Sequence, residues 1–200
     1  MQDLKKEISI QLFKINAIKF GSFILKSGIE SPFYIDLRLL VSHPKLLKKI
    51  AKAYALKMKK IRFDLIAGIP FAAIAIATAV SLETKKPAIF VREKTKEYGT
   101  KQQIEGCFKE KQRVLVIDDL ITTGLSKFNA INALKENNLI VKDVLVLIDR
   151  EQGGKKALEE KGIKLHSFLK ISEIFKILLK EKLLSKEQFF KAMNFIKKSN

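Results

Sequence analysis

From Leu65 onward the chain alternates between short apolar runs and longer segments with helical spacing. The runs Leu65–Ala67, Ala88–Val91, Val114–Ile117 and Val144–Ile148 carry no charge, and a less regular one follows at 164–168. Helices are predicted between them at 72–82, 124–137 and 153–161. A strand apolar at every position must be covered on both faces, so the expected fold class is α/β, a central parallel sheet flanked by helices. Ligands of such sheets sit outside the carboxyl ends of the strands. The loops after Ala67, Val91, Ile117 and Ile148 are therefore where function is expected.

The flanking regions read differently. Residues 3–17 space Leu4, Ile8, Leu12 and Ile15 as one face of a helix. Gly21, Gly28 and Pro32 punctuate short apolar runs across 20–36, which predicts strands and turns. Ser42-His43-Pro44 reads as a helix start, with Leu46, Leu47, Ile50, Tyr54 and Met58 on its buried side. Two more helices are predicted at 171–182 and 186–198, the second opened by Ser185 and Gln188 in capping-box spacing. No repeat or linker divides the sequence, so residues 1–200 are read as a single domain.

Leu65–Leu82 is uncharged for 18 residues, barely enough to span a bilayer, but Gly68 and Pro70 interrupt it, which favours a strand, a loop and a buried helix. The charged amino terminus has no signal-like apolar stretch, and the single Cys107 has no internal partner. Both point to a cytoplasmic protein without a membrane partner. The formal charge is +18, yet only five of the 39 basic residues are arginine. Grips on nucleic acid lean on arginine's planar fork, so scattered lysine argues for a solvated surface and a welcome for small anions, and against a nucleic-acid partner.

The most informative loop is the one after Ile117, reading Asp118-Asp119-Leu120-Ile121-Thr122-Thr123-Gly124-Leu125-Ser126. A buried strand delivers two carboxylates to its end; two threonines, a glycine and a serine lead into a helix. Outward N–H groups, the helix dipole, a close backbone at glycine and nearby hydroxyls suit a phosphate monoester. Carboxylates beside it suit vicinal sugar hydroxyls, or Mg²⁺ held through water. The bland alternative is a polar turn with Thr122 or Thr123 capping the helix. The chain lacks both GxxxxGK[ST] and GxGxxG, which argues against a nucleotide triphosphatase or a dinucleotide-binding fold. For Arg150, which follows another strand, a carboxylate clamp and a surface pair with Glu151 are both open.

The 118–126 block resembles the phosphoribosyl pyrophosphate signature of type I phosphoribosyltransferases. Phe20–Gly28, Ser31–Arg38, Lys96–Lys101 and Asp149–Gly154 narrow the resemblance to the orotate phosphoribosyltransferases, closest to the transferase half of bifunctional UMP synthases. It runs from about residue 17 to 175. It implies a type I fold with a hood from about residues 1–40, a mobile catalytic loop at 92–104 and C-terminal helices at 171–200. It implies transfer of ribose 5-phosphate from phosphoribosyl pyrophosphate to orotate in pyrimidine biosynthesis. Mg²⁺ would be carried by the substrate, near Asp118 and Asp119, rather than held mainly by protein side chains. A homodimer with shared active sites is implied, and a separate orotidine monophosphate decarboxylase is a candidate partner.

The same resemblance assigns roles. Asp118, Asp119, Lys96 and Arg92 would be catalytic. Phosphoribosyl pyrophosphate would meet these four and Lys26, Phe71, Ala72, Tyr98 and residues 120–126. Orotate would meet Lys26, Tyr34, Ile35, Thr122 and Arg150. Three positions depart from the pattern: Glu93 stands where the family usually has lysine, Leu125 where it has threonine or serine, and Ala72 where bacterial members often have lysine. The alternatives are a transferase for another base, or a non-catalytic regulator of the same fold that binds nucleic acid.

Overall fold

The computed structural model describes residues 1–25, 28–92 and 103–198, with the Ser126 side chain left aside. Its centre is a six-stranded sheet in the order β5-β4-β3-β6-β7-β8, formed by β3 (Leu65–Gly68), β4 (Ala88–Val91), β5 (Ile104–Glu105), β6 (Arg113–Ile121), β7 (Ile140–Asp149) and β8 (Lys164–Lys170). All neighbours are parallel except the two-residue β5, which pairs antiparallel with β4 at one edge. The parallel sheet is as expected. The edge strand is not visible in the sequence, because two residues carry no periodicity.

Ahead of the sheet, β1 (Ile18–Ile24) and β2 (Glu30–Ile35) form a separate antiparallel pair, the hood. It follows α1 (Gln2–Lys14) and precedes a short 3₁₀ turn at Leu37–Ser42 and then α2 (Pro44–Met58), whose first residue is the predicted proline. The sheet helices are α3 (Ala72–Thr84), α4 (Leu125–Glu136) and α5 (Gly154–Glu159); α6 (Ile171–Lys180) and α7 (Lys186–Lys198) close the chain. The predicted capping box is present: Gln188 N–H donates to Ser185 Oγ and Ser185 N–H to Gln188 Oε1, each at 3.1 Å.

Two cores sit on opposite faces of the sheet. One buries Ile66, Leu115, Ile117, Leu145 and Leu147 with α1, α2, α3, α6, α7 and the hood. The other buries Leu65, Ala67, Val114, Val116, Val144 and Val146 with α4 and Leu158 of α5. This alternation along each strand is why the runs are apolar throughout. The uncharged stretch 65–82 divides into β3, a loop and the 13-residue α3. Among the described residues no helix is long and apolar enough to cross a membrane.

One boundary differs in a way that matters. The sequence ends the central strand at Ile117, before the charges, but β6 continues to Ile121. Its neighbour β3 stops pairing at Gly68, opposite Ile117, while β7 goes on pairing through Asp149, opposite Ile121. Beyond Ile117 one edge of β6 is therefore open. The acidic pair lies in the strand at that edge, not in the loop after it.

Candidate active site

The open edge of β6 lines a cleft of about 290 Å³ with Asp118, Asp119, Leu120, Thr122 and Lys127 on one side. Tyr34, Ile35, Asp36 and Arg38 from the end of the hood, and Ile69, Pro70, Phe71 and Ala72 from the β3–α3 loop, complete it. The carboxyl ends of β3 and β6 thus converge with the hood on one cavity, as the strand-end rule requires.

Asp118 is buried and heavily tied. Its Oδ2 lies 2.5 Å from Lys127 Nζ, its Oδ1 accepts the Asp119 N–H at 2.8 Å, and its carbonyl accepts the buried Tyr54 hydroxyl at 2.6 Å. Asp119 is half-buried, and its Oδ1 accepts the Leu120 N–H at 2.7 Å. Burial first, and then the charge of Asp118, push the Asp119 carboxyl up to about 8, against the pull of Lys127.

After Ile121 the chain turns into α4. Gly124, at φ +87, caps the helix in the left-handed region that glycine reaches without steric cost. Thr122 is half-buried on the cleft and Thr123 is exposed. Leu125, the first residue of α4, is 72% exposed, so it offers backbone but no hydroxyl. Ile121 is fully buried in the core beneath the turn and supports it rather than facing the cleft. Gly154 packs against the same turn: a methyl group there would meet the Thr122 carbonyl and lie 2.6 Å from Ile121 Cγ1. Gly154→Ala is therefore expected to destabilise the protein by about 1–3 kcal/mol and to weaken phosphate binding by displacing the turn. Thermal melting and ribose 5-phosphate titration check the two effects; an unchanged melting temperature contradicts the packing argument.

Arg150 follows β7 at the same carboxyl end of the sheet. It is 7% exposed, its guanidinium carbon lies 5.0 Å from the Phe33 ring centre, and burial pulls its pKa down to about 10. Among the described residues its buried Nε and Nη2 have no hydrogen-bond partner. Glu151 instead accepts the Ser172 N–H at 3.0 Å and lies 3.7 Å from Lys170. Of the two readings left open for Arg150, the surface pair with Glu151 is thus absent. Two guanidinium nitrogens remain buried without a partner among the described residues, although Arg150 is not among the residues that line the cleft.

The other expected contacts divide. Tyr34, Ile35, Phe71 and Ala72 line the cleft. Arg92 does not: its Nη1 lies 2.6 Å from Glu105 Oε1, and it lines a neighbouring cavity with Gln103 and Asn129. Its N–H donates to the Gln103 carbonyl at 2.8 Å, joining the two ends of the predicted catalytic loop. Lys26, Lys96, Tyr98 and Glu93 lie outside the described residues. Three charged residues of the cleft carry no assignment from the sequence. Asp36 and Arg38 form a bidentate pair at 2.7 and 2.8 Å beside Tyr34. Lys127 is one of two lysines in α4, and no sequence signal marks it.

A parallel sheet with a hood, an acidic strand end and a phosphate-type turn defines a type I phosphoribosyltransferase. Likeness to yeast adenine phosphoribosyltransferase (TM-score 0.65, 16% identity, 84% of this chain and 100% of that one) shows the same fold. No protein-family model matches the chain. The orotate phosphoribosyltransferase of Pyrococcus furiosus is 43% identical over 174 residues, covering 86% of this chain and 96% of that protein. The uridine 5'-monophosphate synthase of Bos taurus is 37% identical over 190 residues, 94% of this chain but 40% of that protein. Among solved structures, Leishmania donovani UMP synthase matches with TM-score 0.91 at 35% identity, over 97% of this chain and 42% of that one. The Aeropyrum pernix orotate phosphoribosyltransferase matches at 0.76 and 30%, over 89% and 99%. The chain belongs to the orotate phosphoribosyltransferase family, pentosyltransferases of pyrimidine biosynthesis.

Proposed function

We propose that the cleft transfers ribose 5-phosphate from phosphoribosyl pyrophosphate to N1 of orotate, giving orotidine 5'-monophosphate and pyrophosphate. The observation that carries this reading is the acidic pair at the open end of β6, followed at once by the turn into α4. The carboxylates accept hydrogen bonds from the ribose hydroxyls, and the backbone N–H groups and hydroxyls of residues 122–126 hold the 5'-phosphate. As the bond from the anomeric carbon to the diphosphate breaks, positive charge grows on the sugar ring, as in glycoside chemistry. Asp118, and Asp119 once it gives up its proton, stabilise that charge from a fixed, partly dry position. Arg150 clamps the orotate carboxylate bidentately, with Tyr34 and Ile35 against the base.

Mg²⁺ fits the donor set as a passenger of the substrate. Asp118 and Asp119 are hard oxygen donors on the cleft, which suit the ion directly or through its waters. When bound, the ion neutralises charge on the departing diphosphate. Lys26, Lys96 and Tyr98 are assigned to that diphosphate or the base by the resemblance alone.

The reading includes a cytoplasmic homodimer, with Arg92 and the loop 92–104 serving the partner's cleft. Two features support it: Arg92 lines the neighbouring cavity rather than the cleft, and α3 leaves Leu82 79% exposed, with Phe71 72% exposed at its N-terminus. A decarboxylase that consumes the product fits as a further partner, and the chain spans about two fifths of the UMP synthases it matches.

The test is turnover by the purified protein with Mg²⁺, phosphoribosyl pyrophosphate and one base at a time. Orotate is expected to yield nucleotide, and uracil and purines to yield little, because neither carries the carboxylate that Arg150 awaits. Equal use of uracil would overturn the base assignment. Binding without turnover of any base would favour the regulator.

A further inference from the structure

Lys127 stands where the physics of helices argues against it. It lies in the first turn of α4, where the dipole and outward N–H groups repel a cation. It is also 4% exposed, so its ammonium is held out of water. Two contacts offset these costs. Nζ lies 2.5 Å from Asp118 Oδ2 and donates to the Leu120 carbonyl at 2.7 Å. Asp118 is in turn bonded to the Asp119 N–H, and Tyr54 to the Asp118 carbonyl. Lys127 therefore reaches back from the helix, across the turn, to the acidic tip of β6. Conflicts with local rules of this kind concentrate at functional sites.

The electrostatic consequence concerns the ligand. The acidic pair at the mouth of a phosphate site, with Asp118 ionised, would repel a polyanionic sugar phosphate, and in a half-buried cleft that repulsion is poorly screened. A buried ammonium against one of them removes one unit of negative charge without occupying the space where the sugar must lie. We propose that Lys127 is a positioning residue for the sugar-phosphate substrate. It balances the acidic pair so that phosphate can bind beside two carboxylates, and it fixes Asp118 and the 122–126 turn in one arrangement. The proposal rests on the reading of this cleft as a sugar-phosphate site, and it does not depend on which base is used.

The test compares Lys127→Met, Asp118→Asn and the double variant with the unaltered chain, after melting curves establish that each is folded. Affinity for ribose 5-phosphate is measured by calorimetry, and KM for phosphoribosyl pyrophosphate and orotate by turnover. Lys127→Met is expected to weaken ribose 5-phosphate binding and raise the phosphoribosyl pyrophosphate KM by about tenfold or more, with the orotate KM within about twofold. Adding Asp118→Asn removes the uncompensated charge and leaves an amide oxygen that can still accept from the ribose, and is expected to recover part of the lost affinity. A lysine with a merely structural role would lower the melting temperature without that recovery. Should Lys127→Met not fold, the pair Asp118→Asn and double variant decides: the single variant, which keeps the ammonium but not the Asp118 charge, is expected to bind ribose 5-phosphate more tightly. Unchanged affinity in Lys127→Met, or equal affinity in that pair, overturns the proposal. If ribose 5-phosphate affinity follows the expected order while orotate gives no product, the orotate reading fails and Lys127 keeps its role. If the unaltered chain binds no ribose 5-phosphate, both fall.

Discussion

Asp119→Asn is expected to lower kcat for nucleotide formation by about 10²–10³-fold, the loss seen when one preorganised charge-stabilising group is removed from an active site. The fold should survive, because Asp119 is half-buried on the cleft and its carboxyl accepts the N–H of the adjacent Leu120. The substitution should also make the ligand-free protein more stable at pH 7. Burial and Asp118 raise the folded-state pKa of Asp119 from 3.8 to about 8. The folded state therefore binds this proton more tightly than the unfolded chain does. That contribution to stability is present in full below about pH 4 and is lost as the pH rises through about 8. Asparagine has no proton to lose, so this descending limb should flatten. Melting temperatures of the two proteins between those pH limits, together with steady-state rates, check both halves. An unchanged kcat removes Asp119 from the chemistry, and identical pH slopes contradict its raised pKa.

The second large effect is expected at Arg150. Arg150→Met should raise the orotate KM by about 10²-fold, since truncating one partner of a buried charged pair costs about 2–5 kcal/mol. The KM for phosphoribosyl pyrophosphate should move by no more than a few fold. Lysine should not rescue it, because an ammonium cannot reproduce the guanidinium fork or its stacking on Phe33. The ligand-free Met variant should be at least as stable as the unaltered protein: a buried guanidinium with unpartnered nitrogens is a cost that only a ligand repays. Equal rises in both KM values would point to general damage, and an unchanged orotate KM would exclude the clamp.

These two residues also show what a sequence reveals and what it withholds. The sheet is legible because burial on both faces leaves an unbroken apolar run, as in Val114–Ile117 and Val144–Ile148, and Ala88–Val91 matches β4 residue for residue. The end of β6 is not, because strand ends are read from charge, and here Asp118 and Asp119 occupy ladder positions left open by the shorter β3. The acidic pair and the turn are legible as chemistry, since carboxylates, hydroxyls and glycine in that order have a physical use. Arg150 is ambiguous from sequence, because its neighbour Glu151 is an equally good partner until the backbone directs that side chain to Ser172 and Lys170. Lys127 is invisible: its meaning lies in a reach back across the turn, and one-dimensional rules would place it on the solvated face of α4. The roles of Lys26, Lys96 and Tyr98 rest on family resemblance, as these residues lie outside the described structure.

The most direct measurement is a crystal structure of the protein with orotidine 5'-monophosphate bound. The account predicts the ribose hydroxyls within hydrogen-bond distance of the Asp118 and Asp119 carboxylates, the phosphate on the backbone of residues 122–126, and the base carboxylate on the Arg150 guanidinium. A nucleotide whose sugar lies elsewhere, with that strand end empty, would contradict it.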